Sequence, residues 1–263
     1  MAESSPMAGL LAGKKGLIVG VANKNSIAWA CAKALHAAGM ELAFTYQGEI
    51  MRDRCARTVS ELGDVPLFEM DVTNDGQIQA LHDALHQRWG GKLDFLLHSV
   101  AYAPSTAMNN AFIQTQRADF SIAMDISAYS LVALTRQFMP MLAGGGSVVT
   151  MTYYGSQKAV PGYNVMGVAK AALEACTRYL AVDAGEHGVR INAVSAGAVN
   201  TLAARGVAHF RDLMKITAER SPLKRVIEPE EVANATLFLA SDLSTGITGE
   251  TMYVDAGFNI TAG

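Results

Sequence analysis

Short runs of apolar residues alternate along this chain with longer stretches in which apolar positions recur every three or four residues. The short runs read as strands covered on both faces, the longer ones as amphipathic helices. Residues 16–20 open the series as a strand, and 26–38 follow as a helix closed by Gly39. Strand 41–46, helix 49–62, strand 65–70, helix 74–89 and strand 93–98 continue it, with Thr73 or Asn74 as the N-cap of the third helix. In the second half, 119–142 reads as one helix, 147–151 as a strand after the Gly144-Gly145-Gly146 turn, and 163–185 as a helix. Strand 190–194, helix 230–241 and strand 250–254 end it.

Strand and helix in strict turn predict an α/β fold, a doubly wound parallel sheet of Rossmann type. Such sheets bind ligands beyond the carboxyl ends of their strands, so the loops that follow the strands are the ones to read. The first, Gly20 to Ala28, departs from the usual G-x-G-x-x-G spacing. It still joins a strand to a helix that Ser26 can cap, and a helix N-terminus attracts a pyrophosphate. Gly20 lets backbone come close to such a ligand. The second strand ends in Thr45-Tyr46-Gln47, where an adenosine ribose is expected. No Arg or Lys stands at Gln47 to receive a 2′-phosphate, which favours NADH over NADPH. Asp71, after the third strand, suits either adenine binding or the start of a turn. The fourth strand ends in His98-Ser99-Val100-Ala101, small residues past which a flat ring can lie, with His98 itself read as structural.

Composition narrows the class. Half of the 263 residues are hydrophobic, enough for one large core, and no linker, repeat or charge run divides the chain, so a single domain is expected. A net charge of -3 argues against a nucleic-acid binder. Three scattered cysteines form no metal-ligand spacing, and Cys31 and Cys176 read as small core residues. The first nine residues lack the apolar run of a signal peptide, and no stretch is long and apolar enough to span a bilayer. The expectation is a soluble cytoplasmic protein with no metal.

The sharpest chemical signal is Tyr163-Asn164-Val165-Met166-Gly167-Val168-Ala169-Lys170. Tyr163 and Lys170 stand two helical turns apart, on one face, so a phenol and an ammonium can share a ligand. A lysine stem lying beside a core ring gives the same spacing without function. The place of this pair, directly after the fifth strand at the ligand end of the sheet, favours function.

These residues make the chain resemble the short-chain dehydrogenase/reductases, and specifically their divergent enoyl-acyl-carrier-protein reductase branch. The resemblance is carried by Gly20-Val21-Ala22 with Ser26-Ile27-Ala28, Phe44-Thr45-Tyr46-Gln47, His98-Ser99, Tyr153-Tyr154-Gly155, and the Tyr163 to Lys170 stretch. It continues through Arg190 to Gly197, Thr201-Leu202-Ala203, Ser241 to Ser244 and Val254 to Phe258, nearly the whole chain. Ketone reductases of the superfamily carry their tyrosine where Met166 stands, and Met166 cannot donate a proton. Thr152 takes the position of their serine. Two departures from the enoyl branch are Ala101 where glycine is common, narrowing the pocket near the nicotinamide, and Ala198 where proline is common.

The resemblance implies hydride transfer from NADH to the β-carbon of a trans-2-enoyl thioester on acyl carrier protein, in type II fatty-acid synthesis. Tyr153, Tyr163 and Lys170 are then the catalytic residues. Tyr163 stabilises the enolate oxygen, Lys170 holds the nicotinamide ribose, and either Tyr163 or water protonates the α-carbon. The implied cofactor contacts are Gly20, Ser26, Ile27, Gln47, Asp71, Val72, Ser99, Val100, Ala101, Lys170, Gly197, Val199 and Thr201. Ala101, Tyr153, Tyr163, Met166 and Phe210 are the implied substrate contacts, and residues 198–220 the cover over the acyl chain, with Leu202, Phe210 and Leu213 closing on its tail. Arg205, Arg211 and Lys215 are candidates to meet the acidic carrier, with Asp212 opposing them. A homotetramer, paired through helices 119–142 and 163–185, is the expected assembly.

Overall fold

A computed structural model describes residue 7, residues 9–201 and residues 210–261. Seven strands form one parallel sheet: β1 (Lys15–Val19), β2 (Glu41–Tyr46), β3 (Leu67–Glu69), β4 (Phe95–His98), β5 (Ser147–Thr152), β6 (Arg190–Ala196) and β7 (Thr251–Val254). Their order is β3-β2-β1-β4-β5-β6-β7. The order reverses between β1 and β4, which pair with Val19 opposite His98. This opens a crevice at their carboxyl ends, between Gly20 and Ser99. Adding a Cβ to Gly20 would place it 2.1 Å from the Ser99 carbonyl oxygen, and the φ of Gly20 is +113°. Only glycine permits that approach.

The helices are α1 (Ile27–Ala37), α2 (Gly48–Val59), α3 (Asp75–Trp89), α4 (Ser105–Asn109), α5 (Arg117–Met124), α6 (Ser130–Leu142), α7 (Asn164–Gly185), α8 (Phe210–Arg220) and α9 (Pro229–Ala240). Alternate residues of each strand point to opposite faces, so the sheet builds two cores. Ile18, Phe44, Leu97 and Val149 pack with Trp29 and Leu35 of α1 and Val232 and Leu237 of α9. Leu17, Val19, Leu96 and Val148 pack with Leu81 and Leu85 of α3, Leu134 and Phe138 of α6, and Leu173 of α7.

The alternation read from the sequence holds, with three local differences. Residues 119–142 are helical throughout, but a π-helical turn, Asp125–Tyr129, interrupts the α geometry between α5 and α6, and its Ser127 is fully buried. Helices α4 and α8 lie where no periodic apolar stripe had predicted them. Ser26 occupies the N-cap position of α1, but its hydroxyl donates to the Asn23 carbonyl at 2.6 Å and does not cap the helix. Asn74 does cap α3, accepting from the Gln77 N–H. No helix among the described residues is long and apolar enough to cross a membrane.

Candidate active site

A cleft of about 1120 Å³ opens along the carboxyl ends of β1, β2, β4, β5 and β6. Its wall contains Gly20, Ser26, Ile27, Gln47, Val72, Ser99, Val100, Ala101, Tyr153, Tyr163, Met166, Lys170, Gly197, Val199 and Thr201. Residues as far apart in the chain as Gly20 and Thr201 thus share one surface because parallel strands all end on the same side. Two expected contacts are not among them. Asp71 lies beside the wall, flanked by Met70 and Val72, but its carboxylate accepts from the Thr73 N–H and hydroxyl and from Gln47 Nε2 at 2.8 Å. The side chain therefore closes its own turn and also reaches Gln47 on the cleft wall. The side chain of Phe210 lies outside the described residues, as do Leu202, Ala203, Arg205 and the side chain of Arg211. Leu213 lines the cleft, whereas Lys215 pairs with Glu219.

The active-site helix begins one residue later than the sequence suggested, with Tyr163 at the N-cap of α7. Asn164 takes a left-handed φ of +42°, and its side-chain amide donates to the carbonyls of Met108 and Asn110 at 2.8 Å each. This ties the start of α7 to the α4 segment across the cleft. The Tyr163 ring meets the Tyr153 ring edge-on, with centroids 4.9 Å apart. Gly155 makes room for that pair, since a Cβ there would fall 2.5 Å from the Tyr163 ring.

Electrostatics divide the roles. Burial pushes the Tyr163 hydroxyl well above the usual phenol range, with Tyr153 and Glu174 adding to the shift. Tyr153 is pushed to about 12, mainly by burial and then by Asp255. Both are hydrogen-bond donors at neutral pH. Lys170 is only 6% exposed and donates to the Met151 carbonyl at 2.8 Å. Burial lowers its pKa to about 8, opposed by the charge of Glu174. His98 is structural, as read from the sequence. Its Nε2 meets Ser130 Oγ and its Nδ1 meets Thr150 Oγ1, both at 2.8 Å. Ser130 donates its own proton to the Ile126 carbonyl, so Nε2 carries the imidazole hydrogen.

Sequence reasoning missed part of the wall. Tyr102, Ala103, Ser105, Met108 and Asn109 face the cleft after β4, Ile126 reaches it from the π turn, and Met51 and Cys55 reach it from α2. No periodic signal marks these positions, because each is set by how a loop or turn packs. The Tyr102 segment is pinned by Ser127, whose hydroxyl accepts from the Tyr102 N–H at 2.9 Å and donates to the Tyr102 carbonyl at 3.0 Å. Cys31 is fully buried, as expected of a core residue, but Cys176 is half-buried.

The donor set fits a dinucleotide. A glycine-lined crevice lies at the strand-order reversal, and a buried ammonium faces a cleft of sufficient volume. The described residues hold no group of three metal-ligating side chains. Residues 20–259 match the family described as Enoyl-(Acyl carrier protein) reductase. The chain is 47% identical to enoyl-[acyl-carrier-protein] reductase [NADH] 1 of Rhizobium meliloti (strain 1021), over 98% of this chain and 94% of that protein. It superposes on the crystal structure of the enoyl-[acyl-carrier-protein] reductase (NADH) from Aquifex aeolicus VF5 with a TM-score of 0.92 and 47% identity, covering 96% of this chain and 98% of that one. The Bacillus cereus enoyl-acyl carrier protein reductase, crystallised with NADP+ and an indole naphthyridinone, gives a TM-score of 0.93 at 42% identity, covering 96% and 99%.

Proposed function

The chain belongs to the enoyl-(acyl carrier protein) reductase family, an NADH-dependent oxidoreductase of that kind, and we propose that Tyr153, Tyr163 and Lys170 carry its reaction. The substrate is a trans-2-enoyl thioester on acyl carrier protein, reduced to the acyl thioester in type II fatty-acid synthesis. The observation that carries this reading is the meeting of Tyr163 and Lys170 in one cleft, with Met166 where a ketone reductase needs its proton donor. Thr152, at the position of the ketone reductases' serine, supports it, because its hydroxyl donates to Glu174 at 2.8 Å.

NADH, when bound, supplies the hydride that adds to the substrate β-carbon. Negative charge then collects on the thioester oxygen. Tyr163, held protonated by burial, donates a hydrogen bond there, which is oxyanion stabilisation. Tyr153 braces the Tyr163 ring edge-on. Lys170 would hold the ribose hydroxyls of the bound dinucleotide. Gly20 and the N-terminus of α1 would take the pyrophosphate, Gln47 the adenosine ribose, and Ser99 to Ala101, also on the cleft wall, the ring end. Protonation of the α-carbon, by Tyr163 or by water, completes the reduction.

The described part of segment 198–220 supports its reading as a cover over the acyl chain within one reductase domain: Ala198, Val199, Thr201 and Leu213 lie on the cleft wall, and residues 202–209 lie outside the described residues. The protein works in the cytoplasm as a homotetramer. In support, α7 exposes Tyr179 and Val182, each by three quarters, and α5 and the π turn expose Ile122 and Tyr129. The testing experiment follows NADH oxidation with crotonyl thioester, with acetoacetyl thioester and with no acceptor. Oxidation with the crotonyl thioester alone is expected. Preference for the acetoacetyl thioester would make this a ketone reductase, and oxidation with neither would remove the catalytic role.

A further inference from the structure

Glu174 lies one turn beyond Lys170 on the same face of α7 and is 2% exposed. Its carboxylate accepts from Thr152 Oγ1 at 2.8 Å, Ser156 Oγ at 2.5 Å and Gln157 Nε2 at 2.7 Å. All three donors belong to residues 152–157, the segment that carries Tyr153. The turn does not need this carboxylate to close. Ser156 N–H already donates to the Tyr153 carbonyl, and the Gln157 and Lys158 N–H groups to the Tyr154 carbonyl. What the carboxylate adds is attachment of the turn to α7 at the level of Lys170. A buried charge is costly, and an apolar side chain of similar volume would often serve stability as well.

We propose that Glu174 is a positioning residue: it fastens the Tyr153 turn to the active-site helix and supplies the fixed negative charge that keeps the Lys170 ammonium available to the dinucleotide. This rests on the assignment of Lys170 to cofactor binding made above. The groups facing this pair come from several elements. His98 on β4 is neutral near pH 7, its pKa depressed to about 3 chiefly by burial, with the Lys170 charge contributing. Tyr163 opens α7, and Tyr253 on β7 faces Glu174, both raised chiefly by burial. Asp255 after β7 acts on Tyr153 and Tyr253. Glu174 is the group whose charge raises the pKa of Lys170. Its loss therefore drives the lysine toward the neutral form at lower pH.

The test titrates NADH fluorescence against the full chain from about pH 6 to about pH 10, for wild type, Glu174→Gln, Glu174→Asp and Lys170→Met, with urea midpoints of each apoprotein. Wild-type binding should weaken as pH rises through the Lys170 titration. Glu174→Gln should move that limb to lower pH, with a loss of affinity on the alkaline side. Glu174→Asp keeps the charge and shortens the reach, so the limb should stay while turnover falls. A limb unmoved in Glu174→Gln, whatever happens to the urea midpoint, reduces Glu174 to a structural residue and overturns the proposal. Full turnover in Glu174→Asp overturns the fastening of the turn, and this variant decides that point should Glu174→Gln fail to fold. Unchanged NADH binding in Lys170→Met instead overturns the Lys170 assignment, and the inference with it.

Discussion

Tyr163 and Lys170 share one cleft wall but answer to different constraints, and single substitutions should separate them. Tyr163→Phe removes a hydroxyl and leaves the ring packed edge-on against Tyr153. Turnover should fall by up to about 100- to 1,000-fold, the loss seen when one oxyanion donor is deleted, while NADH affinity holds. Lys170→Met should do the opposite first, weakening NADH binding, with the rate loss following from a misplaced nicotinamide. Fluorescence titration beside steady-state kinetics checks both, and the reversed pattern would refute the assignment. On the proposed reading, Gln47 sets the preference between NADH and NADPH. It lies on the cleft wall, where its amide is tied to Asp71. An arginine there offers a cation to a 2′-phosphate, so Gln47→Arg should raise the NADPH to NADH ratio of kcat/KM.

At the scale of elements, the π turn between α5 and α6 is the feature with the most leverage on the site. It inserts Ile126 into the cleft wall and holds Tyr102 through both hydrogen bonds of Ser127. The Val100 to Ala103 wall therefore depends on a helix that lies far from it in sequence. Ser127→Ala removes both bonds from a buried position. It should cost about 1–3 kcal/mol of stability and raise the KM for the enoyl thioester more than it lowers NADH affinity. Urea unfolding and steady-state kinetics read the two effects, and an unchanged KM would show that the wall is held by packing alone.

Across the whole molecule, stability and assembly carry two further expectations. His98 sits fully buried between β4 and α6, with its folded pKa at about 3 against an ordinary 6.5. As pH falls below 6.5 the unfolded chain binds a proton that the folded chain refuses, so stability present above that pH is lost. The His98 contribution amounts to about 1.4 kcal/mol per pH unit down to the folded pKa. His98→Asn should flatten the fall in urea-measured stability between pH 6.5 and about pH 4.5, whatever its effect at pH 7. Equal slopes in the two proteins would count against it. The exposed Tyr179 and Val182 of α7 should be covered in a symmetric tetramer. Light scattering at micromolar concentration should return about four times the 27.9 kDa chain mass, and a clean monomer would reject it.

The sequence by itself determined the strands, their parallel pairing and the end of the sheet that binds ligand. Apolar periodicity is a local property, and parallel strands joined by helices have one ligand edge. Tyr163, Lys170, Gly20 and Gln47 were legible for the same reason, since each stands at a strand end or at a fixed helical spacing. Only the tertiary structure decided the remainder. It tied Asp71 to Gln47 across two strand ends, set a π turn within the helical run 119–142, and used Ser26 on a carbonyl rather than on its helix. It also joined Glu174 to three donors 17 to 22 residues away. These outcomes depend on which polar groups meet once the sheet is covered. A buried polar group must find a partner wherever the fold places one, and no local pattern encodes that choice.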